Sequence, residues 1–256
     1  MSGLNLIQSY SSESDDIENE EEPIAKNPSE KLPIPQSILS WKGTKHHETV
    51  LDDPSKHDGR SRSFKHERGN WATLVYVEHP GDEALCAWVQ GIPHKLGAAS
   101  VDLKVFKEFH LSLTKSLILK FHWIESFVES VKKICKSTEK MVVEFNQLKV
   151  YCNEERNRTF LAIQWKDRSK KLKAFVAELD NLLSEYQLPP FYQEASFHVS
   201  ILWCLGDAEE KLSRELPLLN ESVSNFLAEQ LSHKYLEISN INCKIGNKLY
   251  IFPLGQ

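Results

Sequence analysis

The hydrophobic and polar positions of the chain change their period along its length, and these changes divide it into strands and helices. Alternation of apolar and polar residues predicts a strand, because successive strand side chains point to opposite faces. The stretch from Trp71 to Val77 is rich in β-branched and aromatic residues, as strands are. Strands are predicted at 71–77, 103–113, 141–151, 159–165, 197–205, 235–241 and 248–252, with a turn at Gly246-Asn247 before the last.

Apolar residues that recur every three or four positions predict four helices. The first opens at Pro80-Gly-Asp-Glu, a sequence typical of a helix start. The third ends before Pro189-Pro190, because proline cannot continue a helix. In chain order, the apolar stripes run from Leu85 to Ile92, from Leu117 to Cys135, from Leu172 to Tyr186 and from Leu212 to Leu231, the last interrupted near Pro217.

The order of these elements repeats. The succession strand, helix, strand, helix, strand starts at Trp71 and again near Thr159, 88 residues later. A repeat of this length predicts duplication of a small α+β unit. We therefore expect two lobes, at about 68–151 and 156–256, which face one another across a groove with pseudo-twofold symmetry.

Charge separates the N-terminal segment from the rest of the chain. The net charge is −5, yet residues 1–40 alone hold eight acidic residues and two lysines. Within that segment, Ser11 to Glu22 has seven acidic residues and no basic one, too polar to offset the entropy of ordering. We predict a disordered, proline-containing tail at 1–40 and a single domain at 41–256. The tail would serve interaction or phosphorylation, or solubility alone.

The remainder of the chain is close to neutral with a basic middle. Residues 101–180 carry 16 Lys or Arg against 11 Asp or Glu. A polyanion needs only such a local basic surface, although an ordinary solvated face has the same composition. No apolar run approaches the length of a membrane span, so we expect no membrane partner.

A short motif occurs twice at the offset of the duplication. Phe-His110-Leu-Ser112-Leu lies in the third element of the first half, and Phe-His198-Val-Ser200-Ile lies 88 residues later. On a strand, the histidine and serine of each motif share one face and the apolar residues share the other. One His-x-Ser is expected by chance, but a matched pair indicates a site of two imidazoles and two hydroxyls.

This set of groups suits phosphodiester chemistry. One imidazole can take the proton of an attacking hydroxyl while the second protonates the leaving oxygen. Histidine titrates near neutral pH, so a neutral and a charged ring can coexist. The serines can donate to phosphate oxygens where charge builds up. We expect no metal ion and no cofactor, because no third ligand is evident beside the two histidines.

Longer segments resemble a known family. The chain resembles the two-histidine phosphodiesterase superfamily and, within it, the U6 small nuclear RNA phosphodiesterase family. The segments that carry the resemblance are His66 to Thr73, Phe109 to Leu113, Tyr151-x-Asn153, Arg158-Thr-Phe160, Phe191-Tyr192, Ser196 to Ser200, Trp203 to Asp207 and Cys243 to Lys248. The resemblance implies an α+β fold of two lobes whose antiparallel sheets line the groove.

The resemblance also implies an activity. Members are nuclear, metal-independent 3′–5′ RNA exonucleases that trim the oligouridine tail of U6 small nuclear RNA. The 2′-hydroxyl next to the scissile bond attacks phosphorus and leaves a 2′,3′-cyclic phosphate, which some members open. We accordingly expect a monomeric enzyme that acts on RNA in the nucleus.

Individual residues carry over by position. The resemblance makes His110 and His198 the catalytic pair, Ser112 and Ser200 phosphate ligands, and Tyr192 the aromatic that stacks on the terminal nucleoside. Glu154 stands where relatives have a neutral glutamine, and a carboxylate cannot donate to a uracil carbonyl, so the resemblance does not extend to base preference. The remaining residues expected to bind substrate are Leu111, Glu194, Ala195, Ser196, Phe197 and Val199.

Two other functions fit the same residues. An RNA- or nucleotide-binding module would keep the groove without turnover, although both motifs are complete. A related enzyme would act on small cyclic phosphates or on 2′–5′ linkages. Near-symmetric motifs leave open which histidine is the base and which the acid.

Overall fold

The computed structural model describes residues 67–96, 101–193 and 196–255, together with residues 36, 55, 59 and 64. The predicted acidic tail at 1–40 therefore lies outside the described residues, apart from Gln36. Every element given below belongs to one compact unit, 49–256.

The strands and helices of this unit follow the predicted order, except that the predicted strand at 103–113 is divided into β2 and β3 and that β4 was not predicted. The strands are β1 (Asn70–His79), β2 (Lys104–Val105), β3 (Phe109–Ser112), β4 (Leu117–Lys120), β5 (Met141–Cys152), β6 (Arg158–Lys166), β7 (His198–Leu205), β8 (Tyr235–Ile238), β9 (Asn240–Ile245) and β10 (Lys248–Pro253). The α-helices are α1 (Glu83–Lys95), α2 (Ile124–Ser137), α3 (Lys171–Glu185) and α4 (Glu209–Glu229). Short 3-10 turns span Phe121–Trp123 and Leu231–Lys234.

The strands join in one open sheet whose named strand pairs are antiparallel. Its order is β10-β9-β1-β3-β7-β6-β5-β8, with β4 paired to β1 and β2 paired to β7. This architecture of helices and antiparallel sheet confirms the predicted α+β class.

The two halves of the sheet exchange strands. On the β7 side, β5 lies beside β6, and on the β3 side, β9 and β10 lie beside β1. Strand β5 therefore comes from the first part of the chain but pairs in the half of the sheet that contains β7. Strands β9 and β10 come from the last part of the chain but pair in the half that contains β3. The predicted lobe boundaries at 68–151 and 156–256 therefore do not coincide with the halves of the sheet.

One face of the sheet forms the core. Val75, Leu111, Val199 and Ile163 lie on it at 0–1% exposure. Buried side chains from all four helices belong to the same hydrophobic cluster. Because strand side chains alternate, the residues between these positions point to the opposite face, where the site lies.

The second predicted helix begins later than expected. Leu117 pairs with Thr73 in the β1–β4 ladder, and α2 starts only at Ile124. Leu117 and Leu119 are buried by strand alternation, whereas Phe121, which the helical stripe would bury, is 70% exposed. The prediction was wrong here because Leu117 and Phe121 fit helical spacing by chance.

Two other boundaries differ from the sequence prediction. Helix α4 continues through Pro217, although proline removes one hydrogen-bond donor, because buried residues on both sides of it (Leu212 and Leu219) hold the helix in the core. The predicted strand at 235–241 is split at Ser239, since β8 pairs with β5 and β9 pairs with β1.

A β-bulge changes the facing of side chains late in β7. Ala162 pairs with Ser200, but Leu161 pairs with Leu202, so Ile201 is the extra residue. A bulge of this kind reverses the alternation that follows it. Trp203 therefore lies opposite Phe160 on the face of Ser200, whereas simple alternation predicts that it opposes His198.

Candidate active site

The two motif strands are neighbours in the sheet. Leu111 of β3 lies directly opposite Val199 of β7 in antiparallel register. The register sets His110 opposite Ser200 and Ser112 opposite His198, and alternation sends all four side chains to the open face. The fold therefore brings together the two imidazoles and two hydroxyls that the sequence predicts.

The ring of His198 is held from two sides. Its Nδ1 lies 2.6 Å from the carbonyl oxygen of Ser196. A carbonyl only accepts, so Nδ1 carries the hydrogen and Nε2 is the nitrogen left to exchange a proton with a substrate. The ring of Tyr151 stacks on the imidazole with centroids 4.0 Å apart and an interplanar angle of 18°.

Ser196 connects this arrangement to the neighbouring strands. Its hydroxyl lies 2.6 Å from the Tyr151 hydroxyl. The Gln164 side chain, on the β6 position opposite His198, donates to the same Ser196 oxygen over 3.1 Å. Ser196 thus orients His198 through its carbonyl and Tyr151 through its hydroxyl.

The protonation of His198 is set by its surroundings. Burial lowers the pKa of His198 below the usual histidine value, the Ser196 carbonyl partly opposes this, and the charges of Lys149 and His110 lower the pKa further. The effect of His110 means that the two rings are within electrostatic reach of each other. A charged ring beside a neutral one is therefore favoured over two charged rings.

His110 has a different set of neighbours. Tyr76 of β1 meets its ring edge-on at 5.4 Å between centroids. Burial lowers the pKa of His110, Glu108 acts against that shift, and Lys244 adds to it. Each site histidine therefore contacts one tyrosine, stacked in one case and edge-on in the other.

The two motif hydroxyls are free to bind a ligand. Ser112 and Ser200 are both half-buried on the open face. Within the ranges that the structure describes, neither side chain has a hydrogen-bond partner. Both can donate to an anion placed between the strands.

A groove of about 1260 Å³ opens beside His198 and is lined by Tyr192, Glu154 and Ser196. Lys115 joins two of these residues. Its Nζ lies 4.4 Å from the Tyr192 ring centroid and 3.5 Å from a carboxylate oxygen of Glu154. Tyr192 is 49% exposed, so its ring remains accessible.

Three residues predicted to bind substrate are buried elsewhere. The side chains of Leu111, Phe197 and Val199 are at most 5% exposed and belong to the core. A contact from their side chains to a ligand in the groove is excluded, because they point to the opposite face of the sheet. Glu194 and Ala195 lie outside the described residues.

Among the groove residues that were not singled out from the sequence, four interact with the predicted site residues. They are Tyr151, Gln164, Lys149 and Lys115. The first three alternate along β5 and β6 on the open face, which is a usable signal only after the strand order is known. Lys115 follows the first motif by three residues, but its contacts depend on the fold.

None of the described helices combines the length and the apolar character needed to cross a membrane. In the same residues, no three His, Cys, Asp or Glu side chains are grouped as ligands of a metal ion would be.

Comparison with known proteins identifies relatives along nearly the whole chain. A family model described as "HVSL: Uncharacterised conserved protein" matches residues 32–253. U6 snRNA phosphodiesterase 1 of Xenopus laevis is 36% identical over 97% of this chain and 99% of its own length. The Homo sapiens protein of the same name is 37% identical over 89% of this chain and 85% of its own length. The solved structure of Kluyveromyces marxianus Usb1 is 15% identical, with a TM-score of 0.49 over 72% of this chain and 98% of that chain.

Proposed function

The chain belongs to the U6 snRNA phosphodiesterase 1 family, and on this basis we propose that it is an RNA phosphodiesterase that shortens the 3′ end of U6 small nuclear RNA. The reaction is a 3′–5′ exonucleolytic removal of terminal uridines, and it takes place in the nucleus on a monomeric enzyme without a metal ion. The observation that carries the proposal is the pairing of the two His-x-Ser motifs, which supplies two imidazoles and two hydroxyls on one face.

The chemistry follows from these four groups. One imidazole takes the proton of the 2′-hydroxyl on the penultimate nucleotide, and that oxygen forms a bond to phosphorus. The bond from phosphorus to the 5′-oxygen of the last nucleoside breaks, and the other imidazole protonates the leaving oxygen. Ser112 and Ser200 donate to the non-bridging oxygens as their charge increases. The retained RNA ends in a 2′,3′-cyclic phosphate, which water can open.

The terminal nucleoside has a binding place next to this centre. The exposed ring of Tyr192 offers a face for stacking, worth about 1–3 kcal/mol per base. Lys115 lies against that ring and against the carboxylate of Glu154. The positive charge of Lys115 compensates the negative charge of Glu154, so a uracil can approach Tyr192 without facing an unpaired carboxylate.

The test is the removal of either imidazole. His110→Ala and His198→Ala should each lower the rate of uridine removal about 100- to 10,000-fold, because each removes a proton-transfer group. EDTA should leave the wild-type rate unchanged. The matched control is His122→Ala, since His122 is exposed outside the groove and should keep the wild-type rate. Thermal unfolding of all three variants separates loss of chemistry from loss of fold.

The substrate of this test distinguishes the alternatives. An oligouridine-ended RNA with a 2′-deoxy sugar at the penultimate position should resist trimming, and mass spectrometry of the all-ribose product gives its 3′ end. Trimming of the deoxy substrate, or wild-type activity in either histidine variant, contradicts the mechanism. RNA binding without turnover identifies a binding module, and turnover restricted to small cyclic phosphates or 2′–5′ linkages identifies the related enzyme.

A further inference from the structure

A cluster of aromatic side chains lies at the end of β7 on the face of the site, and we call it the aromatic patch. It consists of Phe106, Phe160 and Trp203. The rings of Phe106 and Phe160 are near-parallel, at 6.3 Å between centroids and 20° between planes. Phe106 also meets Trp203 at 6.4 Å. The half-buried rings of Phe106 and Phe160 offer a surface on which another flat ring can stack, with Trp203 packed beside them.

The β7 bulge orients the patch toward the site. Trp203 is placed on the face of Ser200 because Ile201 is the extra residue of the strand. Trp203 is 4% exposed yet lies outside the main hydrophobic cluster, so it is covered by groove-side neighbours. Phe106 and Phe160, by contrast, are half-buried and present part of their surface.

Two cationic side chains border the patch. The Nζ of Lys104 lies 5.2 Å from the Trp203 ring, and the Cζ of Arg158 lies 6.0 Å from the Phe160 ring. Arg158 and Phe160 line the same groove as His198 and Tyr192. An aromatic surface with bordering cations is complementary to a base and its phosphate, the combination that binds single-stranded nucleic acid.

The position of the patch relative to Tyr192 decides which part of an RNA it can meet. Tyr192 precedes β7, Trp203 lies near its end, and the site residues His198 and Ser200 lie between them. Ser200 and Trp203 lie opposite Ala162 and Phe160, which are two residues, or about 7 Å, apart along β6. Tyr192 and Phe160 line the same groove, so once Tyr192 takes the last nucleoside, any other base that enters this groove belongs to the retained strand.

We propose that the aromatic patch binds a nucleobase of the retained RNA strand, upstream of the scissile phosphate. This rests on the proposed function, and it adds a second stacking site to that at Tyr192. Stacking tolerates any base, because every base has an aromatic face. The patch therefore sets a preference for RNA length rather than for sequence.

The experiment compares Phe160→Leu with Phe160→Trp on all-ribose oligouridylates of increasing length from the dinucleotide. In the wild type, kcat/KM should rise at the length that first places a base on the patch. Phe160→Leu should lower the ratio of kcat/KM on long substrates to kcat/KM on short ones about ten-fold, whereas Phe160→Trp should retain the wild-type ratio. The matched control is Phe121→Leu, since Phe121 is 70% exposed and lies outside the groove.

A second readout does not depend on turnover. Binding of a fluorescent oligouridylate with a 2′-deoxy penultimate sugar should weaken by the same factor in Phe160→Leu and in Phe106→Leu, which guards against misfolding of either variant. Equal length dependence in wild type and Phe160→Leu, or equal loss in Phe160→Leu and Phe160→Trp, overturns the inference. If the wild type trims no oligouridylate of any length, the proposed function itself fails.

Discussion

At the scale of single residues, one imidazole is fixed by β5 and by the segment that leads into β7. The Ser196 carbonyl selects the tautomer of His198, Tyr151 stacks on its ring, and Lys149 acts on its charge. Such neighbours are what a catalytic histidine needs, because proton transfer depends on both orientation and pKa. His110 has fewer contacts, with Tyr76 at its edge.

This difference between the two histidines predicts a pH effect. The positive charge of Lys149 lowers the pKa of His198, so Lys149→Gln should raise it. In the pH profile of kcat/KM, which reports the free enzyme, the limb that belongs to His198 should move to higher pH. Movement of the alkaline limb makes His198 the acid, and movement of the acidic limb makes it the base.

Lys132→Gln is the control for this measurement. It removes the same charge from a surface lysine that pairs with Glu129 on α2. Its profile should coincide with that of the wild type. A profile of Lys149→Gln with both limbs unmoved would contradict the assignment of His198 to proton transfer.

At the scale of elements, the β9–β10 hairpin depends on one glycine. Gly246 has a φ of +56°, and a Cβ built there would lie 2.5 Å from the ring of Trp71. A two-residue hairpin loop with glycine first matches the twist of its strands. Side chains other than hydrogen are disfavoured at such a φ, and here the ring of Trp71 also occupies the space.

Gly246→Ala should therefore lower the free energy of unfolding by about 1–3 kcal/mol. The control is Gly91→Ala in the interior of α1, where a Cβ meets nothing within 4 Å. That substitution should stabilise the protein by up to about 1 kcal/mol, since alanine is the better helix former. Urea denaturation measures both, and equal stability of Gly246→Ala and wild type would show that the turn does not require glycine.

At the scale of the whole molecule, the exchange of strands ties the two halves together. β5 belongs to the first segment of the chain but pairs with β6 and β8, and β9 pairs with β1. Neither half of the sheet can form from one contiguous half of the chain. The motif strands β3 and β7 are thereby held by pairings from both ends of the unit.

We expect residues 49–256 to unfold in a single cooperative transition for this reason. Far-ultraviolet circular dichroism and tryptophan fluorescence should give coincident urea curves. The experiment uses the full chain and compares it with the Gly246→Ala variant. The weakened hairpin of this variant should shift both unfolding curves by the same amount. Two separate transitions would mean that the halves fold independently despite the exchanged strands.

The sequence alone determined the local features of this protein. The kind and order of the main elements follow from residues that are neighbours in the chain. Side chains return to the same face every two residues in a strand and every 3.6 residues in a helix. The two His-x-Ser motifs were found the same way, because their residues and spacing lie within single strands. The prediction of a helix from Leu117 was wrong, because the spacing of apolar residues there fits both a strand and a helix.

Only the tertiary structure decided which distant residues meet. The stacking of Tyr151 on His198, the bridge of Lys115 between Tyr192 and Glu154, and the turn of Trp203 to the groove each join positions that local periodicity treats as unrelated. Strand pairing is selected by burial of one face and by completion of hydrogen bonds across the sheet, which are properties of the assembled chain. The sequence therefore specified the reacting groups, and the fold decided what surrounds them.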